Sequence, residues 1–211
     1  MHQTSQPSPS KKRVRLAPAV RKRQILDAAL VEFSSHGFTA TSIDKIARRV
    51  GLSKAGLYAH FPNKNAIFEA LLKDRMLPAA PSLHWHLKHA DAPGQAIRDY
   101  VDQLYAHVRD PDHVATFRLL IAESGRAPDA IQHWREQVLQ GVIDADQRYM
   151  DEAVQAGTVR ASAVTENVSL SAAPAIMAMV IQLIRPPQQA AQELDALRTA
   201  HQRMLHELLQ L

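Results

Sequence analysis

The sequence predicts an all-α protein, and three observations support that fold class. Apolar residues recur with helical spacing from residue 19 almost to the end of the chain. Prolines and glycines divide this pattern into helix-sized segments, and no convincing stretch alternates apolar and polar residues as a half-buried strand does. The chain has 211 residues, of which 46% are hydrophobic, so it can bury a substantial core.

The predicted elements begin after an amino-terminal tail. Residues 1–17 lack apolar periodicity and contain the basic run KKRVR, so we expect them to be disordered. A first helix is expected from about Ala19 to a C-cap at Gly37. Asn63 is placed to cap a later helix. The helices from there on are expected over about 64–77 with an extension to 90, and over 94–109, 112–123, 128–156, 165–184 and 189–210.

Two short helical signals and a glycine turn lie within TSIDKIARRVGLSKAGLYAHFPNK, residues 41–64. Thr41 followed by Asp44 resembles a capping box, so we expect a helix that starts at Thr41 and stops at Gly51. Gly51 can adopt the positive φ of a tight turn, and Ser53 is a suitable N-cap for a second helix of about two turns. This pattern predicts a helix-turn-helix.

The second of these helices has one inward and one outward face. Leu57 points inwards, whereas Ala55, Gly56 and Tyr58 fall largely on the opposite side. Small residues let a helix backbone approach another surface closely, as a recognition helix does in the major groove of DNA. The candidate DNA-binding residues are Thr41, Ser42, Ser53, Lys54, Ala55, Gly56, Tyr58, His60 and Lys64.

The same stretch resembles the TetR/AcrR family of bacterial transcriptional regulators. The family signature is close to T-S-x-x-x-I-A-x-x-x-G-[VL]-S-x-x-x-[LI]-Y-x-H-F-x-x-K. The resemblance implies that Thr41 and Ser42 meet phosphates, that Lys54, Ala55 and Gly56 face bases, and that Tyr58, His60 and Lys64 clamp the DNA backbone. The positions that match are Thr41, Ser42, Ile46, Ala47, Gly51, Leu52, Ser53, Leu57, Tyr58, His60, Phe61 and Lys64, with ILDAAL and the HGF of residues 36–38 matching the preceding helix.

The charge distribution favours a polyanionic partner for the amino-terminal part. Residues 1–64 hold 12 Lys/Arg and 3 Asp/Glu, a net charge of +9, whereas residues 65–211 hold 13 and 18, a net charge of −5. Together with the helix-turn-helix pattern, this charge predicts a basic tail (1–17) and a helix-turn-helix domain that binds double-stranded DNA (18–64). The family resemblance implies that the remainder (65–211) is a helical ligand-binding and dimerisation domain. The tail either enters a minor groove or attracts DNA without reading its sequence, and the second alternative is favoured.

The family resemblance implies a small-molecule pocket in the helical domain. Trp85, Phe117 and Trp134 are the first candidates for its lining, and they would suit a hydrophobic or aromatic effector. The histidines around Trp85, at positions 84, 86 and 89, could be metal ligands, but His84 points about 200° away from His86 on a helix and no carboxylate has matching spacing. We expect neither a metal nor a cofactor.

The run APAIMAMVIQLI, residues 173–184, is apolar on nearly every side. Together with the amphipathic segment that follows, it predicts half of a four-helix interface between two copies of the chain. A helix pair buried inside one subunit is the alternative. The candidate interface residues are Met177, Val180, Ile181, Ile184, Leu197, Met204 and Leu205.

Together these features predict a homodimeric, ligand-responsive regulator that binds a palindromic operator, with repression released by the ligand as the resemblance implies. A sequence-indifferent DNA architectural protein is the alternative. An enzyme is disfavoured because no nucleophile with a positioned partner, glycine-rich phosphate loop or HExxH motif is present. The absence of cysteine, of a signal peptide and of a membrane-spanning run predicts a cytoplasmic protein that does not enter membranes.

Overall fold

A computed structural model describes residues 17–76, 83–89 and 93–209, except for the side chains of His84, Trp85, His89 and Pro93. All regular elements in these ranges are helical, which confirms the predicted all-α class. The expected disordered tail lies almost wholly outside the described residues. The α-helices are α1 (Pro18–His36), α2 (Ile43–Arg49), α3 (Lys54–Tyr58), α4 (Lys64–Met76), α5 (Leu83–His89), α6 (Pro93–Arg109), α7 (Pro111–Glu123), α8 (Pro128–Trp134), α9 (Gln140–Gln155), α10 (Ala163–Glu166), α11 (Ala173–Ile184) and α12 (Pro187–Leu209).

The predicted turns of the amino-terminal helices are present. Gly37 ends α1 with a φ of 78°, and Gly51 turns the chain between α2 and α3 with a φ of 68°. The Gly56 N–H donates to Ser53 Oγ at 3.1 Å, so Ser53 is the N-cap of α3. Asn63 Oδ1 accepts from the Ala66 N–H at 2.8 Å. Local capping chemistry therefore defines these helix ends.

The start of α2 differs from the prediction by one residue. Ser42, and not Thr41, is the N-cap, and its Oγ accepts a long hydrogen bond of 3.4 Å from the Lys45 N–H. The Thr41 hydroxyl instead lies within hydrogen-bonding distance of two carbonyls at the end of α1, those of Glu32 (3.1 Å) and Gly37 (2.8 Å), which share its one donor hydrogen. Carbonyls at a helix end need partners from outside the helix, and Thr41 supplies one.

The single helix predicted over 165–184 is wrong, because the chain breaks at Asn167. Asn167 has the extended angles φ −142° and ψ 97°, and its side chain accepts from the Ser169 N–H at 3.1 Å. A 3₁₀ segment, Val168–Ala172, follows before α11 begins. Pro174 lies in the first turn of α11, where its missing N–H costs no helical hydrogen bond.

The helix predicted over 128–156 is confirmed as a continuous helical path with a change of pitch. A π-helical segment, Arg135–Leu139, joins α8 to α9. The prediction over 64–77 corresponds to α4, and its extension to 90 falls partly on residues 77–82 and 90, outside the described residues. Leu83–His89 is a separate short helix, α5.

Two clusters of buried apolar side chains lie along the chain. The first joins α1–α4 to parts of α7 and α8 and contains the aromatic group Phe33, Phe38 and Phe68. The second joins α5, α6, α7, α9, α11 and α12. Helix α7 contributes to both, through Leu119 in the first and Phe117 in the second. Packing therefore connects the helix-turn-helix to the rest of the molecule through α7.

Ion pairs strengthen the same connection. The Arg75 guanidinium on α4 pairs with Asp27 of α1 and lies 3.4 Å from the Asp112 carboxylate of α7. The Arg75 side chain is only 9% exposed, so solvent screens these charges less than it would on an open surface. None of the helices in the described ranges is both long and apolar enough to cross a membrane.

Candidate nucleic-acid interface

Helix α3 is anchored to the core by one buried residue, and its other residues are exposed or partly exposed to solvent. Leu57 is fully buried against the first core cluster, with Phe61 buried just beyond the helix. Lys54 and Ala55 are exposed, and Tyr58 keeps 44% of its surface accessible. The structure thus places Ser53, Lys54, Ala55 and Tyr58 on one accessible surface, with Gly56 partly covered. A small middle flanked by polar ends fits the contact face of a recognition helix.

Two of the candidate DNA-binding residues serve the inside of the molecule. Thr41 is 2% exposed and its hydroxyl is bonded within the chain, as described above. Lys64 Nζ donates to the backbone carbonyls of Phe38 (2.7 Å), Thr39 (3.1 Å) and Thr41 (3.0 Å). The Lys64 ammonium also lies 4.5 Å from the centre of the Phe38 ring. These contacts fix the turn between α1 and α2 and leave Lys64 directed away from an open surface.

Burial lowers the pKa of Lys64, and the nearby Glu123 carboxylate on α7 opposes that shift. Glu123 is itself 1% exposed, and its Oε1 lies 3.7 Å from Arg126. A carboxylate of the helical body therefore faces the turn that leads into the helix-turn-helix.

A basic residue that the sequence analysis omitted adjoins α3. Arg48, exposed on α2, donates through Nε to the Asp44 carbonyl at 3.3 Å, and Lys54 Nζ lies 3.3 Å from the Asp44 carboxylate. Arg48 and Lys54 thus meet around one residue at the α2–α3 surface. The pair Arg48–Arg49 at the end of α2 was the signal available in the sequence.

Arg49 connects α2 to α1 through an ion pair. Its Nε donates to Glu32 Oε1 at 2.7 Å, and His36 Nδ1 lies 3.4 Å from the other oxygen of the same carboxylate. The hydrogen bond from Arg49 holds the pKa of Glu32 below its ordinary value, although burial of the carboxylate acts in the opposite direction. This pair ties α2 to α1 behind the exposed surface.

Of the three candidate pocket residues, the two whose side chains are described, Phe117 and Trp134, belong to different core clusters. Phe117 lies in the second core cluster and Trp134 lies in the first, beside α1–α4. The Trp85 side chain is outside the described residues. His86 Nε2 lies 2.9 Å from Gln103 Oε1, and the described residues contain no group of three potential metal ligands. The metal arrangement of positions 84, 86 and 89 involves two side chains that are not described.

A buried polar group lies in the second core cluster. The Tyr100 hydroxyl is 3.0 Å from Ser171 Oγ, and His201 Nε2 donates to the Ser171 carbonyl at 2.8 Å. Burial raises the pKa of Tyr100 and of Tyr105 to about 12 and lowers the pKa of His201. Sequence analysis missed this group because its members are far apart along the chain.

The candidate dimer residues divide into exposed and buried sets. Met177 is 56% exposed, Val180 37% and Ile184 70%, and Ile176, which was not among the candidates, is 52% exposed. Together these four residues form one apolar stripe along α11. Ile181 and Leu205 are buried within the chain, and Leu197 and Met204 are half-buried against the second core cluster.

Comparisons with known proteins cover both parts of the chain. Residues 25–71 match the family model of bacterial regulatory proteins of the tetR family, and residues 95–205 match that of the C-terminal domain of AefR-like transcriptional repressors. The HTH-type transcriptional regulator RutR of Escherichia coli (strain K12) is 37% identical over 86 residues, which are 40% of this chain and 40% of RutR. The biofilm operon icaADBC negative regulator IcaR of Staphylococcus aureus (strain Newman) is 42% identical over 52 residues, 25% of this chain and 28% of IcaR.

The chain thus matches less than half of the length of these curated relatives. Among solved structures, the SmeT–triclosan complex superposes with a TM-score of 0.67 at 19% identity, over 90% of this chain and 92% of SmeT. At that identity the likeness shows the fold alone.

The helix-turn-helix, the attached helical body and these matches define a helix-turn-helix transcriptional regulator. Since the AefR-like model alone covers more than half of the residues, the chain belongs to the TetR family of bacterial regulatory proteins.

Proposed function

We propose that the protein is a ligand-responsive repressor that binds a palindromic operator as a homodimer. The observation that carries this proposal is the presentation of α3. Leu57 anchors the helix, while Lys54, Ala55 and Tyr58 remain accessible on its outer side. A short helix with a small, accessible centre can enter a major groove closely enough to contact base edges.

Residues at the two ends of α3 have different proposed roles. Ser53, Lys54, Ala55 and Gly56 contact bases or adjacent phosphates, since they form the amino-terminal turn of the helix. Tyr58 contacts the phosphate backbone through its phenol, together with His60, Ser42 and Arg48. Thr41 and Lys64 act indirectly, by holding the α1–α2 turn through the hydrogen bonds described above.

The proposed dimer uses the apolar stripe of α11. Ile176, Met177, Val180 and Ile184 expose large apolar side chains on one helix, which is unfavourable for a face that remains in water. A two-fold symmetric contact buries the same stripe on both subunits and presents two α3 helices to one duplex.

The proposed effector is a small hydrophobic or aromatic molecule held in the helical body. The SmeT structure was determined with triclosan, an aromatic compound, in a protein of this fold. In the present chain, α7 packs against both core clusters, so a ligand that favours one position of α7 also shifts the helix-turn-helix.

Selection of bound sequences from a random duplex pool, at near-physiological salt, tests this function. A palindrome with half-sites about 34 Å apart is the expected product for two α3 helices in successive major grooves. Lys54→Ala and Tyr58→Ala should weaken binding to the selected duplex, whereas Arg160→Ala, at an exposed arginine of the body, should not. Retention of DNA at low salt without an enriched sequence would instead support the architectural alternative.

A further inference from the structure

An apolar groove lies where α1 and α4 of the helix-turn-helix part meet the π-helical segment and α9 of the body. Its volume is about 1150 Å³, which exceeds that of an ordinary small-molecule site. Val20 of α1 and Val142 of α9 both line it and are 48% and 43% exposed. The apolar lining consists of Val20, Leu26, Phe61, Ala70, Val138 and Val142.

The lining of the groove also contains cations, in addition to this apolar floor. Among the described residues, Lys22, Arg23 and Lys73 line the groove together with one carboxylate, that of Asp74. The Asp74 carboxylate lies 3.6 Å from Arg23 and 3.3 Å from Arg75. These two guanidinium groups offset its negative charge, so it neutralises the two lysines only weakly. Neither Lys22 nor Lys73 forms an ion pair within the described ranges, and the Lys22 ammonium lies 6.0 Å from the centre of the Phe61 ring, above the floor.

The π-helical segment is a second, independent feature of the groove. Gln137 and Val138 of this segment lie in its wall. A π-helical turn inside an α-helix is rare, and such turns are found frequently at functional sites.

From these features we infer that the groove binds an amphiphilic carboxylate, with an aliphatic or aromatic body on the apolar floor and its carboxylate between Lys22 and Lys73. The chain's own amino-terminal segment is a poor occupant, because KKRVR would bring four more cations to a cationic rim. A neutral apolar partner would leave the two lysines without a counter-charge. An occupant would touch both α1 and the body, so it would favour one orientation of the helix-turn-helix.

This site is separate from the effector pocket proposed for the body, and its test uses no DNA. Isothermal titration of the full-length protein with decanoate is compared with titration using decanol, its uncharged counterpart. We expect decanoate to bind more tightly than decanol. Lys22→Gln combined with Lys73→Gln should reduce decanoate affinity by about five- to tenfold and leave decanol affinity unchanged.

Val142→Glu tests whether decanoate occupies the groove. The new carboxylate at this exposed position repels the ligand and interrupts the apolar floor. The decanoate binding that titration detects with the wild type should therefore disappear. Ile121→Glu, at a residue of α7 that is 56% exposed and does not line the groove, controls for a new charge at an exposed apolar site. Arg160→Gln controls for loss of a cation.

Three results would overturn the inference. The first is no binding of decanoate below millimolar concentration. The second is equal affinity for decanoate and decanol, which would show that the lysines do not recognise the charge. The third is decanoate binding that Val142→Glu leaves intact, which would place the bound decanoate in another part of the molecule. Thermal melting of each variant establishes that the fold is retained before titration.

Discussion

Gly37 occupies a backbone position at which a side chain would be strained and crowded. Its φ is 78°, and a Cβ built on it would lie 3.1 Å from Glu123 Oε1. We predict that Gly37→Ala lowers the free energy of unfolding by about 1–2 kcal/mol, because the left-handed conformation disfavours alanine and the carboxylate must move. Urea unfolding measures the change.

Two other glycines separate these causes. Gly51 has a φ of 68° but no heavy atom within 4 Å of a built Cβ, so Gly51→Ala carries the backbone strain alone. Gly141 lies inside α9 with the same open space and no positive φ, so Gly141→Ala should stabilise by up to about 1 kcal/mol. If Gly37→Ala proves no worse than Gly51→Ala, the close approach to Glu123 is irrelevant to stability.

Lys64 is predicted to stabilise the fold and not to contact DNA. Lys64→Met removes the ammonium from three backbone carbonyls and should lower the free energy of unfolding by about 2 kcal/mol. Lys54→Met is the matched control, because Lys54 is exposed and its partner, the Asp44 carboxylate, is exposed as well. Chemical unfolding should separate the two variants, and equal stability losses would contradict the structural role of Lys64.

The sequence identifies the residues of the helix-turn-helix motif, but it does not show which of them are exposed and which bond inside the molecule. Thr41, Ser53, Tyr58 and Lys64 all match the signature, yet two of them bond inside the molecule and two are presented outwards. A threonine or lysine has the same hydrogen-bonding groups in either role. The carbonyls of the turn between α1 and α2 decide the roles of Thr41 and Lys64, and their positions are set by the fold.

At the level of elements, α12 contains a pH-sensitive position. Burial holds the pKa of His201 below its ordinary value, and its Nδ1 is buried with no partner among the described residues. The folded state therefore binds fewer protons than the unfolded chain, whose histidines titrate near pH 6.5. The stability that neutral His201 contributes is present above about pH 6.5 and is lost as the pH falls below it.

We predict that the melting temperature falls between pH 7 and pH 5 and that His201→Gln makes this fall shallower. Glutamine retains an amide donor for the Ser171 carbonyl but does not titrate. The exposed His206 on the same helix provides the matched variant, His206→Gln, for which the slope should remain that of the wild type. An unchanged slope in His201→Gln would remove this histidine as a source of acid sensitivity.

Element types could be predicted from the sequence more reliably than the connections between them. Periodicity and capping residues identified α1, α3, α6, α7 and α12 because those signals are local. The break at Asn167 and the π-helical segment at 135–139 were missed. Both are compatible with helical spacing of the apolar residues, which does not distinguish an α-helix from a π-helix. At the break, the Val168 N–H donates to Gln147 Oε1 of α9 at 2.9 Å, and a contact between positions so far apart cannot be read from local sequence.

For the whole molecule, the apolar stripe of α11 is predicted to hold two subunits together. Val180→Glu combined with Ile184→Glu should produce monomers in sedimentation velocity experiments and weaken operator binding by at least about tenfold, since the two-fold arrangement is lost. Ile121→Glu places the same charge on an exposed isoleucine of α7 and should leave the dimer intact. A double variant that sediments as a dimer would exclude this interface.

The sequence does not show which face of α11 is exposed on the surface of the subunit. The run 173–184 is apolar almost all round, so Ile181, which is buried, and Ile184, which is 70% exposed, belong to the same pattern. The pocket candidates show the same limit. Phe117 and Trp134 are both large, buried aromatic residues, and only the path of α7 and α8 places them in different core clusters.

The central claim is that two copies of α3 read one palindromic site, and hydroxyl-radical footprinting on the selected duplex tests it most directly. We predict two symmetric protected segments about one helical turn apart, both weakened by Tyr58→Ala and by Lys54→Ala. A single asymmetric protected segment, or protection that these substitutions leave unchanged, would contradict the claim.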